Sequence, residues 1–471
     1  EAKGFTVLLL DAGDAIEDNN LVNFSKGKTA IEFMNAAGYD AMTLGNHEFD
    51  YGQDVTLQRV REAKFPIVNA NILVEATGKN LVKPSIIIYK NGYKIGVLGL
   101  TTPTTTTTTN PQYTRGLQFL AEAQLYARTQ KEIDSLKKQA CQLIIGLTHL
   151  GSDEGNKNDR ADDVLNNVHD LNICIDGHDH QVKNRYINNC LLAETGSQLE
   201  HIGLITWNNN KWQEALLSPA DYTKEDAAVK NLITKRAKEV GKILNKKVGK
   251  TEFALNGDRY PGVRNQETNL GDFVADAYLW QAKQAFALQG RVDVAVANGG
   301  GIRASLAKGE ITKGNIQAVV PFRNQGYVVE VTGRQLLEML EAATAVTPEP
   351  LGAFPQVAGL TYSIDTRVPF SKGEKYKASR YYKPSRPGSR VTIKSVAGKP
   401  FDLAGTYVLA ACEFIINGGD TYGVLQTPGT GKRMPIGYTD DQILENYLKE
   451  GLGGVIGKAY AKPQGRITIL Q

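Results

Sequence analysis

Four apolar runs in the first half of the chain stop abruptly at polar, chemistry-bearing clusters. They are "LLLDAGDAI" with Asp11 and Asp14, "TLGNHEFD" with Asn46, His47 and Asp50, "IIGLTHLG" with His149, and "ICIDGHDH" with Asp176, His178, Asp179 and His180. Stretches of helical spacing lie among them, "TAIEFMNAAG", "VTLQRVREAK" and "LAEAQLYARTQKEIDSLKKQA". Strands alternating with helices predict an α/β fold with a covered sheet. "PSIIIYKNGYKIGVLGL" reads as a hairpin turned at Asn91-Gly92. In open α/β sheets, loops leaving the carboxyl ends of strands converge at one edge. The four clusters are therefore expected to meet.

Together they would supply carboxylates, an amide oxygen and imidazoles, a mixed donor set suited to borderline divalent metals. Singly, each has a plainer reading. "GD" after a strand is an ordinary turn, and a lone His149 is an ordinary hydrogen-bonded histidine. In "GNHEFD", turn geometry accounts for Gly45 and Asn46, but not for His47 and the two acids. All four in series, each after an apolar strand, favour a metal site.

The rest of the sequence sets bounds. A chain of 471 residues is too long for one ordinary core, so two or three domains are expected. The charged helical pattern "TKEDAAVKNLITKRAKEVGKILNKK", Thr223–Lys247, reads as the helix between them, and all six histidines precede it. Lys and Arg exceed the acids by only +4, which does not argue for a nucleic acid polymer as partner. No apolar run approaches the roughly 20 residues of a membrane helix, and the first residues lack a signal-peptide pattern. The four cysteines form no CxxC pair, which argues against a zinc ribbon, and Cys141 and Cys174 are expected to be buried thiols. Thr104–Thr109, flanked by Pro103 and Pro111, reads as an exposed extended loop with no chemistry.

"GD", "GNHEFD", "TH" and "GHDH" resemble the calcineurin-like metallophosphoesterase superfamily. "GDRYPGVRNQETNLGDFVADA", "VANGGGIRASLAKGEIT", "VVPFRN" and "FIINGGDTYG" in the second region resemble the nucleotide-binding domain of the 5'-nucleotidase family. The resemblance implies a two-domain α/β protein. Residues 1–222 would be a metallophosphoesterase β-sandwich flanked by helices, 223–247 a linker helix, and 248–471 an α/β nucleotide-binding domain. It implies two divalent metal ions, zinc, manganese or similar. Asp14 would bridge them, Asn46, His149 and His178 would complete the second site, and His180 would bind the first. His47 would stabilise the transition state without binding metal, held by Asp50. Arg259, Arg264 and Arg303 would hold phosphate and ribose oxygens. Phe322 and Phe414 would sandwich the base, Asp420 would accept from ribose hydroxyls, and Asn298 would join them in binding the substrate. On the residues alone, ordinary core packing is the better reading of each Phe.

The implied activity is hydrolysis of nucleotide phosphate esters by a metal-activated water. A 5'-nucleotide is the leading substrate, with nucleotide pyrophosphates, UDP-sugars or 2',3'-cyclic nucleotides as further ones. The implied location is extracytoplasmic: periplasmic, cell-surface or secreted. The oligomeric state stays open. One departure stands out. The family's first strand ends in Asp-x-His, which binds the first metal, and no such motif precedes Asp14. The expectation is that about 30–60 further residues lie upstream in the natural chain and carry it. The alternative is an impaired or non-catalytic nucleotide-binding relative.

Overall fold

The structure is a computed structural model that describes residues 6–17, 19–152, 157–286, 291–377, 379–427 and 430–471. The chain forms two compact units. One joins the chain up to Glu17 with Phe24–Ala237; the other joins Asp18–Asn23 with Lys238–Gln471. The expected connecting helix runs over Ala227–Leu244 and spans this division.

The first unit is built on a six-stranded sheet. Its order is Val182–Ile187, Cys190–Thr195, Ile173–Ile175, Leu143–His149, Tyr93–Thr101 and Ser85–Lys90. The four middle strands are parallel neighbours and the outer two pair antiparallel. The central strands are apolar at nearly every position because both faces are covered. Ile95, Val97, Ile145 and Leu147 face Ala41 and Val68 of a smaller parallel sheet, Leu10–Asp11, Ala41–Thr43 and Ile67–Val68. Leu98, Leu100, Ile144 and Cys174 face the opposite way, against Leu125, Ile133 and Leu136 of the helix Glu122–Lys138 and Val164 and Leu165 of Ala161–Asn167. Sheet packs on sheet, with helices outside. The hairpin turns where expected, with Asn91 and Gly92 both at positive φ, 49° and 84°, as a type I′ turn requires.

Three expectations are corrected. Of the apolar run from Phe5 to Leu10, only Leu10 lies in a strand, Leu10–Asp11, and Phe5 falls outside the described residues. An apolar run of this kind reads as an interior strand, but among the described residues the strand pairs only with Ala41–Thr43. The threonine tract is neither extended nor exposed. Thr105–Thr108 is one helical turn, and Thr104, Thr105, Thr107 and Thr109 are buried. Its hydroxyls bond back to carbonyls of the same turn, Thr107 Oγ1 to Thr104 O at 3.0 Å and Thr105 Oγ1 to Thr102 O at 2.7 Å. Such bonds let a β-branched polar run lose water cheaply. Cys141 is half-buried, while Cys174 is buried as expected.

The second unit centres on a five-stranded sheet ordered Pro355–Ala358, Val294–Asn298, Thr406–Cys412, Gln325–Thr332 and Arg433–Thr439. The helix Asn269–Ala285 packs on it through Phe273, Val274, Ala277 and Tyr278. Among the described residues, no helix is long and apolar enough to cross a membrane.

Candidate functional site

In the first unit, sheet register places the polar clusters side by side. Thr101 pairs with His149 and Leu147 with Ile175, so His149 and the "GHDH" turn leave neighbouring strand ends. Leu10–Asp11 and Ala41–Thr43 are likewise parallel neighbours, which brings Asp14 beside Asn46 and His47.

Asp14 is the hub. Its Oδ1 accepts the backbone N–H of His47 at 2.8 Å, and its Oδ2 lies 2.8 Å from His149 Nε2. His149 donates Nδ1–H to the Ala12 carbonyl at 2.8 Å, which leaves Nε2 aimed into the site. His178 Nδ1 lies 2.9 Å from Asn46 Oδ1, and the rings of His149 and His178 meet edge to face, centroids 5.2 Å apart. Donor atoms of Asp14, His149 and His178 all lie within 4.8 Å of one another. One carboxylate and two imidazoles at that spacing fit a borderline divalent ion. His180 follows on the same turn but is exposed and does not belong to that group.

The charges in the group follow from its packing. Burial opposes charge on Asp14, yet the His149 and His47 charges hold its carboxyl far below the usual range. Burial and the neighbouring His149 push His178 down to about 3, so it is neutral and presents a lone pair. Burial also disfavours the charged form of His149, but Asp14 outweighs it and raises the imidazole to about 9. With no ion bound, the His149 proton balances the Asp14 charge, and an ion held there would have to displace that proton.

His47 stands beside this group. Its Nδ1–H donates to Asp50 Oδ2 at 2.5 Å, and its Nε2 lies 3.6 Å from Glu17 Oε1. Burial works against its charge, but Asp50, then Glu17 and Asp14, keep it well above the ordinary value. The imidazole is thus an imidazolium between carboxylates.

Three contributors escaped the sequence reading. Glu17 forms a second close group with Asp14 and His47, again within 4.8 Å; its position three residues after Asp14 was the available signal. Glu48, the unassigned acid of "GNHEFD", is 2% exposed. Its carboxylate accepts the backbone N–H of Asp14 and Ala15 at 2.8 Å and of Gly45 at 2.5 Å. It therefore ties the two loops together. Burial and the adjacent Asp14 charge lift it to about 7, with those N–H bonds opposing. A side chain at Gly45 would run into the Asp14 carboxylate, so only glycine fits. The third is Lys183, which lies under the "GHDH" turn. It is buried against Asp179 at 2.9 Å, Glu194 at 2.5 Å and Asp176 at 3.8 Å. Asp176 also accepts from Leu150 N and Thr148 Oγ1. This network holds His178 and His180 at positive φ, 94° and 61°, a conformation that costs energy for a side-chain residue.

In the second unit, the end of Val294–Asn298, the end of Thr406–Cys412 and the start of Gln325–Thr332 lie at one sheet edge. Asn298 Nδ2 donates to Asp420 Oδ2 at 3.4 Å. Burial raises Asp420 to about 7, and the charge of Arg264 acts against that rise. The Arg303 guanidinium lies 5.7 Å from the Phe322 ring centre. Phe322 and Phe414 are half-buried, and Phe414 packs on the core edge against Gly419, where a Cβ would strike its ring. The structure thus groups Arg264, Asn298 and Asp420, and separately Arg303 and Phe322. Arg259 is exposed, in the irregular segment Arg259–Val263.

Comparison with known proteins places the chain among nucleotide-phosphoesterase relatives. Residues 247–427 match the profile of the 5'-nucleotidase C-terminal domain, and residues 6–175 match that of the bacterial capsule synthesis protein PGA_cap. The trifunctional nucleotide phosphoesterase protein YfkN of Bacillus subtilis is 31% identical over 98% of this chain, which spans only 32% of that longer protein. A 5'-nucleotidase of Vibrio parahaemolyticus is 28% identical over 95% of this chain and 82% of its own. The crystal structure of a 5'-nucleotidase precursor from Thermus thermophilus superposes with a TM-score of 0.80 at 29% identity, covering 100% of this chain and 91% of that one.

Proposed function

We propose that the chain is a member of the 5'-nucleotidase family and that it hydrolyses phosphate esters of nucleotides, 5'-monophosphates first. Nucleotide pyrophosphates, UDP-sugars and cyclic nucleotides are the further candidates. The observation that carries this reading is the Asp14, His149 and His178 group set directly beside the His47–Asp50 pair. Two divalent ions, zinc, manganese or similar, would be held by Asp14, Asn46, His149, His178 and His180, and when bound would supply positive charge and lower the pKa of water toward ~7.

The chain's own groups would do the rest. His47 offers Nε2–H and a positive charge to the phosphoryl oxygens as negative charge builds. Asp50 keeps the imidazole charged and aimed. Glu48 holds the Asp14 and Asn46 turns in register. The arginines would grip phosphate and ribose oxygens through planar donor forks. Phe322 and Phe414 would stack on the base, Asn298 would support the same site, and Asp420 would accept from the ribose. An extracytoplasmic setting, as for the family's exported members, belongs to the same proposal.

The test is phosphate release from AMP, ADP, a UDP-sugar, NAD and cyclic nucleotides, before and after chelation and with Mn2+ or Zn2+ restored. Release from a nucleotide, lost on chelation and regained with metal, is expected. Nucleotide binding without release under all metal conditions would overturn the proposal.

A further inference from the structure

The threonine tract has one member that behaves differently. The side chains of Thr104–Thr108 find partners among residues 102–104. Thr109, 1% exposed, instead sends its hydroxyl to Asp50 Oδ1 at 2.7 Å, across 59 residues of sequence. The other oxygen of that carboxylate, Oδ2, accepts His47 Nδ1–H at 2.5 Å. A three-member chain results, Thr109 to Asp50 to His47, ending where Nε2 faces the Asp14 and Glu17 carboxylates.

A carboxylate bonded at a single oxygen can rotate about its Cβ–Cγ bond, a broad and soft torsion. A second bond at the other oxygen removes that freedom. The tract is well built for the task. Its turn is closed by its own hydroxyls, and Thr102 N–H is anchored to the His149 carbonyl at 2.8 Å. Thr109 is therefore fixed relative to the strand that carries His149, and Asp50 is fixed relative to Thr109.

We infer that Thr109 is a positioning residue: its hydroxyl locks the Asp50 carboxylate and so sets the aim of the His47 imidazole. The inference rests on the reading of His47 as the group that stabilises the transition state. The Thr109 hydroxyl bonds Asp50 and its N–H bonds the Thr105 carbonyl, so its effect on His47 would pass through Asp50.

The test uses the full chain loaded with zinc. Thr109→Val keeps the shape and removes the hydroxyl. It should lower kcat about ten-fold, the scale of one hydrogen bond to a charged group, with KM, metal content and thermal midpoint unchanged. Thr109→Ser should restore kcat. On an Asp50→Ala background, Thr109→Val should cost nothing more, because the chain is already cut. In 15N-histidine-labelled protein, the low-field Nδ1–H resonance of His47 should shift in Thr109→Val and return in Thr109→Ser. Wild-type kcat with an unmoved resonance in Thr109→Val would overturn the inference, as would an equal loss on the Asp50→Ala background. Full turnover in His47→Ala would instead remove the premise, a distinct result.

Discussion

In the first unit the site residues are held by backbone and buried charge. Asp14 accepts from a main-chain N–H, Glu48 from three, and His178 is fixed at φ 94° above a buried lysine with three carboxylates near it. In the second unit the candidate contacts mix two buried polar groups, Asn298 and Asp420, with the long, half-buried side chains Arg264, Arg303, Phe322 and Phe414. The difference teaches what each job tolerates. On the proposed function, displacement at phosphorus would need placement to within about 0.5 Å, which locked groups provide. Stacking on a base, on the same proposal, would read a π-face and tolerate drift, so half-buried side chains would suffice.

The sharpest way to break this contrast is at His47. His47→Ala should lower kcat by about 10²–10⁴-fold on nucleotide and on p-nitrophenyl phosphate alike, with metal content by elemental analysis unchanged. Loss of metal in this variant would make His47 a ligand. Next is the support beneath the "GHDH" turn. Lys183→Met removes the Lys183 cation from among Asp176, Asp179 and Glu194 and should destabilise the chain by about 3–5 kcal/mol, read from urea unfolding. A loss under about 1 kcal/mol, the scale of an exposed pair, would show that the turn does not depend on this network.

In the second unit smaller and more selective effects are expected. Phe322→Ala and Phe414→Ala should each weaken nucleotide binding by about 1–3 kcal/mol, equally for adenine and uracil, with p-nitrophenyl phosphate turnover little changed. Equal damage to both substrate types would mean core collapse. The mildest test is pH. With Asp420 near 7, its carboxylate is protonated progressively below that value. A protonated carboxyl loses acceptor capacity toward ribose. Inhibition by a nucleoside, which carries no titrating phosphate, should therefore weaken as pH falls from 8 to 6, and Asp420→Asn should flatten the profile. A pH-independent inhibition constant in the wild-type chain would exclude Asp420 from the ribose contact.

The α/β alternation, the Asn91-Gly92 hairpin and the four strand-end clusters were legible in the sequence, because period and turn chemistry are local properties. So were Asp14, Asn46, His47, His149 and His178 as residues to bring together, since strand ends of one sheet share an edge. Glu17, Glu48, Lys183 and Thr109 were not. Glu48 stands out in the sequence as an acid the turn does not need, but its role shows only once its carboxylate is seen to accept the N–H groups of a loop more than 30 residues away. The threonine tract reads as an exposed loop, because six polar residues in a row give no sign of burial. Only the folded chain shows its hydroxyls answering carbonyls of their own turn and one of them reaching Asp50. The sequence by itself determined which elements form and which chemistry their ends carry. The tertiary structure decided which polar groups are desolvated against which partners, because that depends on distances between segments that sequence order does not encode.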